Sequence, residues 1–190
     1  MPGHTFAQFV REVDALVRSE RQPDLLVGLI RPLLSRLLAS PHWLDERYRR
    51  PVPAKSYAQY LLYLPPDEVW SAVSFVWPAG ASTPVHDHGT WGVIGVYQGR
   101  ERETRYHVVE GSIASGRACL AETATSTLQA GEVGQIVPPD DLHRVFNDGP
   151  ELAVSVHVYG TNIGTQNRHV VDLNTGEVRD FISGYELPQR

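Results

Sequence analysis

The sequence predicts a mainly β protein, a sandwich or barrel carrying an N-terminal helical layer. Three observations lead there. Beyond Pro51, short segments rich in Val, Tyr, Trp, Ile and Thr alternate with Gly, Pro and Asp clusters, the pattern of many short strands joined by turns. Residues 4 to 40 instead space their apolar side chains as helices do. The 190 residues, 42% of them hydrophobic, suffice for one domain with one core. A single domain is therefore expected, with residues 1–50 the helical segment and 51–190 the barrel.

In HTFAQFVREVDALVRSE, Phe6, Phe9, Val10, Val13, Leu16 and Val17 fall on one helical stripe, and Thr5 can cap its start. A second stripe between Asp24 and Ala39 holds Leu25, Leu26, Leu29, Leu33, Leu34, Leu37 and Leu38, expected to pack against the rest of the protein. Pro32 lies inside it and removes a backbone donor, which predicts a kink or two short helices. Strands are predicted over Tyr57–Tyr63, Val69–Trp77, Trp91–Gln98, Glu101–Val109, Gly116–Ala124, Gly131–Val137, His143–Asn147, Leu152–Tyr159 and His169–Asp172. Asn174-Thr175-Gly176 marks a hairpin turn between Val170–Leu173 and Glu177–Asp180. Trp70, Trp77 and Trp91 read as core aromatics, and Cys119 as a small buried hydrophobe.

A net charge of −5 argues against nucleic-acid or anionic-membrane binding, which draws its affinity from cationic side chains. No apolar run is long enough to span a bilayer, and MPGHTFAQFVREVD is broken by charge too early for a signal peptide. A cytoplasmic location is expected. One cysteine excludes an intrachain disulfide and a thiolate-rich zinc site.

Chemistry enters with the histidines. His86 and His88 flank one residue, so on an extended segment both imidazoles point to the same side and can converge on a cation. In PPDDLHRVFN, His143 follows a turn and opens a strand. Along LAVSVHVY, Ser155, His157 and Tyr159 alternate with Val154, Val156 and Val158, so the three polar groups share one face. That face is either the outer surface or a barrel interior; in the interior the three groups need one another or a ligand as partners.

The two histidine segments resemble the paired motifs of the cupin superfamily. Gly80, His86, His88 and Gly99 match the first motif, with Gly92 where a glutamate is usual. Pro138, His143 and Asn147 match the second, with Asp140 in place of its glycine and Gly131 one residue out of register. The resemblance implies a double-stranded β-helix (jelly-roll) barrel that binds a metal inside. HDHGTWGVIGVYQG, PPDDLHRVFN and SVHVYG together resemble more narrowly the bacterial thiol dioxygenases, the family that contains cysteine dioxygenase. This implies Fe(II) on His86, His88 and His143, with Ser155, His157 and Tyr159 as a catalytic proton relay. It also implies addition of both atoms of O2 to a substrate thiolate to give a sulfinate.

Two departures refine the resemblance. Gly92 also lies where animal cysteine dioxygenases carry a cysteine crosslinked to the relay tyrosine, so no thioether is expected. In SYAQYLLY, Gln59 takes the place of their carboxylate-gripping arginine. The glutamine form resembles the 3-mercaptopropionate dioxygenase branch, which implies that Arg168 in NIGTQNRHV binds the carboxylate together with Gln59. The expected partners are O2 and a small thiol carboxylate, and the expected state is a monomer or weak homo-oligomer. Competing readings are a cysteine or mercaptosuccinate dioxygenase, a non-catalytic zinc-binding cupin sensor, and a cupin isomerase. Read without the resemblance, Gln59 is an edge-strand surface residue and Arg168 part of a surface ion pair. His4, His42, His107 and His169 lack paired spacing and read as surface or hydrogen-bonded residues.

Overall fold

The computed structural model describes residues 4–188. Helix α1 (Phe6–Ser19) starts at a capping box: Gln8 N donates to Thr5 Oγ1 at 3.2 Å, and Thr5 N donates to Gln8 Oε1 at 2.8 Å. Helix α2 (Pro23–Leu38) is continuous, which corrects the alternative of two short helices divided at Pro32. Pro32 deprives the Gly28 carbonyl of its partner, but both residues are exposed, so water can satisfy that group. The buried stripe of Leu26, Val27, Ile30, Leu34 and Leu37 runs past the proline uninterrupted, while Leu25 and Leu29 of the predicted stripe face outward.

Eleven strands follow among the described residues: β1 (Ala58–Tyr63), β2 (Ser71–Trp77), β3 (Val85–His86), β4 (Gly92–Gln98), β5 (Arg100–Ser112), β6 (Arg117–Gln129), β7 (Val133–Ile136), β8 (His143–Phe146), β9 (Ala153–Tyr159), β10 (Arg168–Val171) and β11 (Val178–Phe181). They form two sheets, ordered β1-β2-β9-β4-β7 and β11-β10-β3-β8-β5-β6, with antiparallel pairing throughout. This is the predicted mainly β sandwich with helices at its N-terminal end. The hairpin of β5 and β6 runs longer than predicted: the added residues 110–112 and 125–129 are mostly exposed and show no apolar alternation. The predicted turn joins β10 to β11. Asp172 accepts from Asn174 N and Thr175 N at 2.8 and 3.0 Å, and Gly176 takes φ +71°.

The helices lie on the outer face of the first sheet. Val154, Val156 and Val158 of β9 pack there with Val13, Ile30 and Leu34 in one buried cluster. Contact is close enough at Gly95 that an added Cβ would lie 2.7 Å from Leu38 Cδ1 and 2.9 Å from Leu34 Cδ2. The inner face of the same sheet closes on the second sheet through Phe75, Trp77, Ile94, Ile136, Val145 and Tyr159. Trp70, Trp77 and Trp91 are buried as expected. Cys119 is not: it is exposed on β6, because the strand register turns its neighbour Ala118 inward instead.

The two histidine segments are bonded to each other. Gly80 N donates to Asn147 O at 3.0 Å, and Asn147 N donates to Ala81 O at 2.9 Å. The Asn147 amide also donates to the carbonyls of Trp77 and Glu151, both at 2.8 Å. A residue after β8 thereby fixes the loop that delivers β3.

Candidate metal centre and active site

His86 ends β3 and pairs directly with His143 at the start of β8; His88 follows in the loop to β4. The three rings converge, with every pair of centroids 4.8 Å apart. One nitrogen from each lies within 4.8 Å of the others, and all three residues are buried. His86 Nδ1 faces the Pro84 carbonyl at 3.1 Å, and a carbonyl only accepts, so Nδ1 carries the proton and Nε2 is left as a lone-pair donor. His143 Nδ1 meets Glu103 Oε1 at 2.7 Å, which leaves His143 Nε2 buried without a partner. His88 Nδ1 is likewise buried and unpartnered. One nitrogen from each ring lies close enough to the others for a single cation to satisfy all three. Burial, followed by the neighbouring rings, pushes His86 and His88 well below the usual imidazole range, so they are neutral ligands at ordinary pH.

Carboxylates hold these rings from outside. Burial acts to raise the Glu103 carboxyl, but hydrogen bonding to His143 and the nearby Arg105 outweigh it and leave the group lowered, hence ionised. Asp141 Oδ2 accepts from His88 N and Gly89 N, both at 2.9 Å. Asp87, between the two loop histidines, accepts from His169 N and His169 Nδ1 at 2.7 Å each, tying this loop to β10. None of the three acids was singled out in the sequence. For Glu103 the only signal was its placement on the same strand face as Glu101 and Arg105.

No carboxylate joins the three-histidine group among the described residues. At Gly92 an added Cβ would lie 2.9 Å from Ile136 Cγ1 and 3.0 Å from two atoms of the Tyr159 ring. Neither glutamate nor cysteine fits there without displacing these neighbours, and Cys119 sits on an exposed face. Both features agree with the departures read from the sequence.

Ser155, His157 and Tyr159 face the interior, as one of the two sequence readings had it. Ser155 Oγ is 2.8 Å from His157 Nε2, and His157 Nδ1 is 2.7 Å from Tyr159 Oη. Trp77 Nε1 donates to Ser155 Oγ at 3.1 Å. Burial presses His157 down to about 3 and raises Tyr159 well above the usual phenol value, so both are neutral. The Tyr159 ring stacks on His88 with centroids 5.4 Å apart and planes at 17°, which brings its hydroxyl to the metal-site cavity.

Arg168 and Gln59 are both buried and line the same cavity, which corrects their surface reading. The Arg168 guanidinium lies 4.4 Å over the Phe181 ring, and its Nη2 donates to Ser183 Oγ at 2.7 Å. Its Nε has no partner, nor has Gln59 Nε2. The cavity measures about 120 Å³ and is walled by Tyr57, Phe75 and Trp77 beside the polar groups.

Fold and site together define a two-sheet β protein with a buried three-histidine centre. The chain belongs to the cysteine dioxygenase type I family, whose model matches residues 62–170. Solved structures give weaker likenesses, of fold only. An acetylacetone dioxygenase from Acinetobacter johnsonii is 18% identical, with 73% of this chain and 81% of that one covered at a TM-score of 0.45. An uncharacterized protein with a double-stranded β-helix domain from Klebsiella pneumoniae is 20% identical, with coverage of 65% and 91% and a TM-score of 0.45. An oxalate oxidase in complex with glycolate is 21% identical over 57% of this chain, at a TM-score of 0.43; the match spans 53% of the oxidase, about half its length. Within this family, the histidine group is a candidate metal centre. Among the described residues no helix is long and apolar enough to cross a membrane.

Proposed function

We propose that the protein is a non-haem Fe(II) thiol dioxygenase that converts a small thiol carboxylate, 3-mercaptopropionate or a close analogue, to its sulfinate. The observation that carries this reading is the cavity's charge pattern. Arg168, buried and without a carboxylate partner, shares the cavity with the imidazoles of His86, His88, His143 and His157, and no acidic residue lines it among the described residues. A buried cation of this kind calls for an anionic ligand. A substrate ammonium group would find no counter-charge, which favours a thiol acid without an amino group over cysteine. One arginine suits one carboxylate, which disfavours mercaptosuccinate. The volume of about 120 Å³ is far below the roughly 300–1,000 Å³ of sites for drug-sized ligands, in keeping with a substrate of a few heavy atoms.

An Fe(II) ion held by His86, His88 and His143 would supply open coordination positions for thiolate and O2, together with the redox chemistry that activates O2. The protein's own groups do the rest. Arg168 and Gln59 offer unused N–H donors to the carboxylate and so fix the sulfur's position relative to the histidines. Tyr159 presents its hydroxyl to the reacting end, with His157 and Ser155 behind it as the route by which that proton is held or moved. Phe75 and Trp77 keep bulk water out. In the net reaction the S–H and O–O bonds break and two S–O bonds form. Sulfur loses the four electrons that O2 gains, and the proton leaves with the sulfinic acid. Residues 1–50 and 51–190 act as one domain in this reading, since the helices cover the sheet that bears the relay.

The test is oxygen consumption and sulfinate yield by the iron-loaded protein with 3-mercaptopropionate, cysteine and mercaptosuccinate side by side. The expected result is the highest kcat/KM for 3-mercaptopropionate, with one sulfinate per O2. A preference for cysteine would overturn the substrate assignment. Purification with zinc and no thiol-dependent O2 uptake after iron loading would overturn the enzyme assignment in favour of a zinc-binding sensor.

A further inference from the structure

The relay does not end at Ser155. Glu101 on β5 is 4% exposed, its Oε1 has no partner, and its Oε2 lies 3.9 Å from His157 Nε2. Ser155 and Trp77 lie beside this carboxyl, with the Trp77 indole donating to Ser155 Oγ at 3.1 Å. The mechanism above leaves this acid unused. A buried carboxyl with an unpartnered oxygen beside a hydrogen-bonded chain is costly unless it serves the chain. We propose that Glu101 is a positioning residue that stores one proton at the inner end of the relay. Its ionisation sets whether the Tyr159 hydroxyl points into the cavity or back at His157. This rests on the role given above to Tyr159.

The argument is a count of donors and acceptors. His157 is neutral and carries one N–H. If that proton is on Nδ1, it donates to Tyr159 Oη, and Nε2 accepts from the Ser155 hydroxyl. Ser155 Oγ can then only accept: it takes the Trp77 indole N–H and has one lone pair left, which the O–H of a protonated Glu101 fits. Tyr159 keeps its own proton free for the cavity. If the proton is on Nε2, it donates to Ser155 Oγ, and the Ser155 hydroxyl must turn to an acceptor, the Glu101 carboxylate. Nδ1 then accepts from Tyr159 O–H. The two arrangements differ by one proton. When Tyr159 releases a proton into the cavity, His157 Nδ1–H reprotonates it, Ser155 reprotonates Nε2, and Glu101 reprotonates Ser155. The first arrangement becomes the second, one O–H or N–H bond breaking for each one formed, and only Glu101 changes charge.

The surroundings suit a group that changes charge near neutrality. Burial pushes the Glu101 carboxyl up to about 7, and Glu103 on the same strand adds to the shift; Ser155 on β9 and Trp77 on β2 oppose it. His157 from β9 and His143 from β8 are the other titratable groups around the small cavity of about 20 Å³ beside Glu101, with Gln135 of β7 its neutral polar neighbour. Because His157 is held near 3, its 3.9 Å approach to Glu101 is not an ion pair.

The experiment is side-chain 15N NMR of His157 in the full chain loaded with zinc, which is diamagnetic, titrated from about pH 5 to about pH 9, a range that brackets neutrality. The expected result is a tautomer swap from Nδ1–H to Nε2–H with its midpoint near neutral pH. Glu101→Gln keeps the shape, and its amide can donate to Ser155 at every pH, so the swap should be lost and Nδ1–H retained. Ser155→Ala cuts the link and should also abolish the swap, which covers the case of a Gln variant that folds poorly. In the iron-loaded enzyme, the pH dependence of sulfinate formed per O2 should flatten in Glu101→Gln. A single tautomer across the range in the unmodified protein, or a swap that survives Glu101→Gln, would overturn the proposal. A purely structural Glu101 predicts that survival. The NMR readout needs no turnover, so failure with every thiol would sink the dioxygenase reading while leaving this result to stand or fall separately.

Discussion

Replacing Glu103 with glutamine should weaken metal binding without emptying the site. In the folded protein Glu103 Oε1 accepts from His143 Nδ1 at 2.7 Å, and Oε2 lies 3.2 Å from Arg105 Nε. A carboxylate satisfies both donors. A glutamine has one carbonyl for the two, so either His143 or Arg105 loses its acceptor. A hydrogen bond with a charged partner contributes roughly 1.5–3 kcal/mol and a neutral one about 0.5–1.5 kcal/mol. The exchange should therefore cost the His143 contact about 1–2 kcal/mol, roughly a 5- to 30-fold rise in metal Kd, in the range known for partners of metal-bound histidines. Much of that loss is orientational: with Nδ1 no longer held, the ring is free to turn its lone pair away from His86 and His88. The assay is anaerobic competition for Fe(II) against a chromophoric chelator, repeated with Zn(II), beside circular dichroism to show that the fold is kept. A Kd within twofold of the unmodified protein for both metals would refute the claim that Glu103 orients His143.

Two further predictions follow from buried charge. Arg168→Ala should raise KM for thiol carboxylates at least tenfold while leaving the three-histidine group able to load metal, and Arg168→Lys should recover little, because an ammonium lacks the planar fork; unchanged steady-state kinetics in the alanine variant would remove Arg168 from substrate binding. Glu101 makes stability pH-dependent with a definite sign. Its folded value of about 7 exceeds the unfolded carboxyl value of 4.5, so the folded chain holds this proton more tightly. That contribution is full below pH 4.5 and is lost as pH rises through 7, by about 3 kcal/mol in all. Glu101→Gln should therefore be about as stable as the parent at pH 4.5 and more stable at pH 8, in urea denaturation of the metal-free protein; an equal difference at both pH values would contradict the buried-acid argument.

What the sequence revealed and what it hid have a common physical cause. Elements with a clean period were legible: the helical stripes, and β9, where serine, histidine and tyrosine alternate with valines. The spacing of His86 and His88 and the turn before His143 were legible too, because a metal site needs convergent donors on rigid neighbours. The supporting acids were not. In RERETRY nearly every residue is charged, so hydrophobic alternation gives no hint that Glu101, Glu103 and Arg105 turn inward while Arg100, Arg102 and Thr104 turn out. Cys119 failed for a related reason: in ACLA either register buries an apolar side chain, and the pairing with β5 selects Ala118. Gln59 and Arg168 are single residues in unpatterned surroundings, and only the likeness to a family pointed to them.

The position of β9 explains why the helical layer matters to a site it never touches. The strand lies between β2 and β4 and is buried along its whole length. One face offers three valines to the helices, and the other offers the relay to the cavity. Because side chains alternate, any slip that freed Ser155, His157 or Tyr159 from its register would push a valine into the cavity and a hydroxyl or imidazole under the helices, where no partner awaits it. The apolar contact of Ile30 and Leu34 with the valines thus fixes the relay's register from behind. Close approach at Gly95 does the same for β4, whose Gly92 backs the Tyr159 ring. Hydrophobic burial on one side of a strand sets hydrogen-bond distances of 2.7 and 2.8 Å on the other.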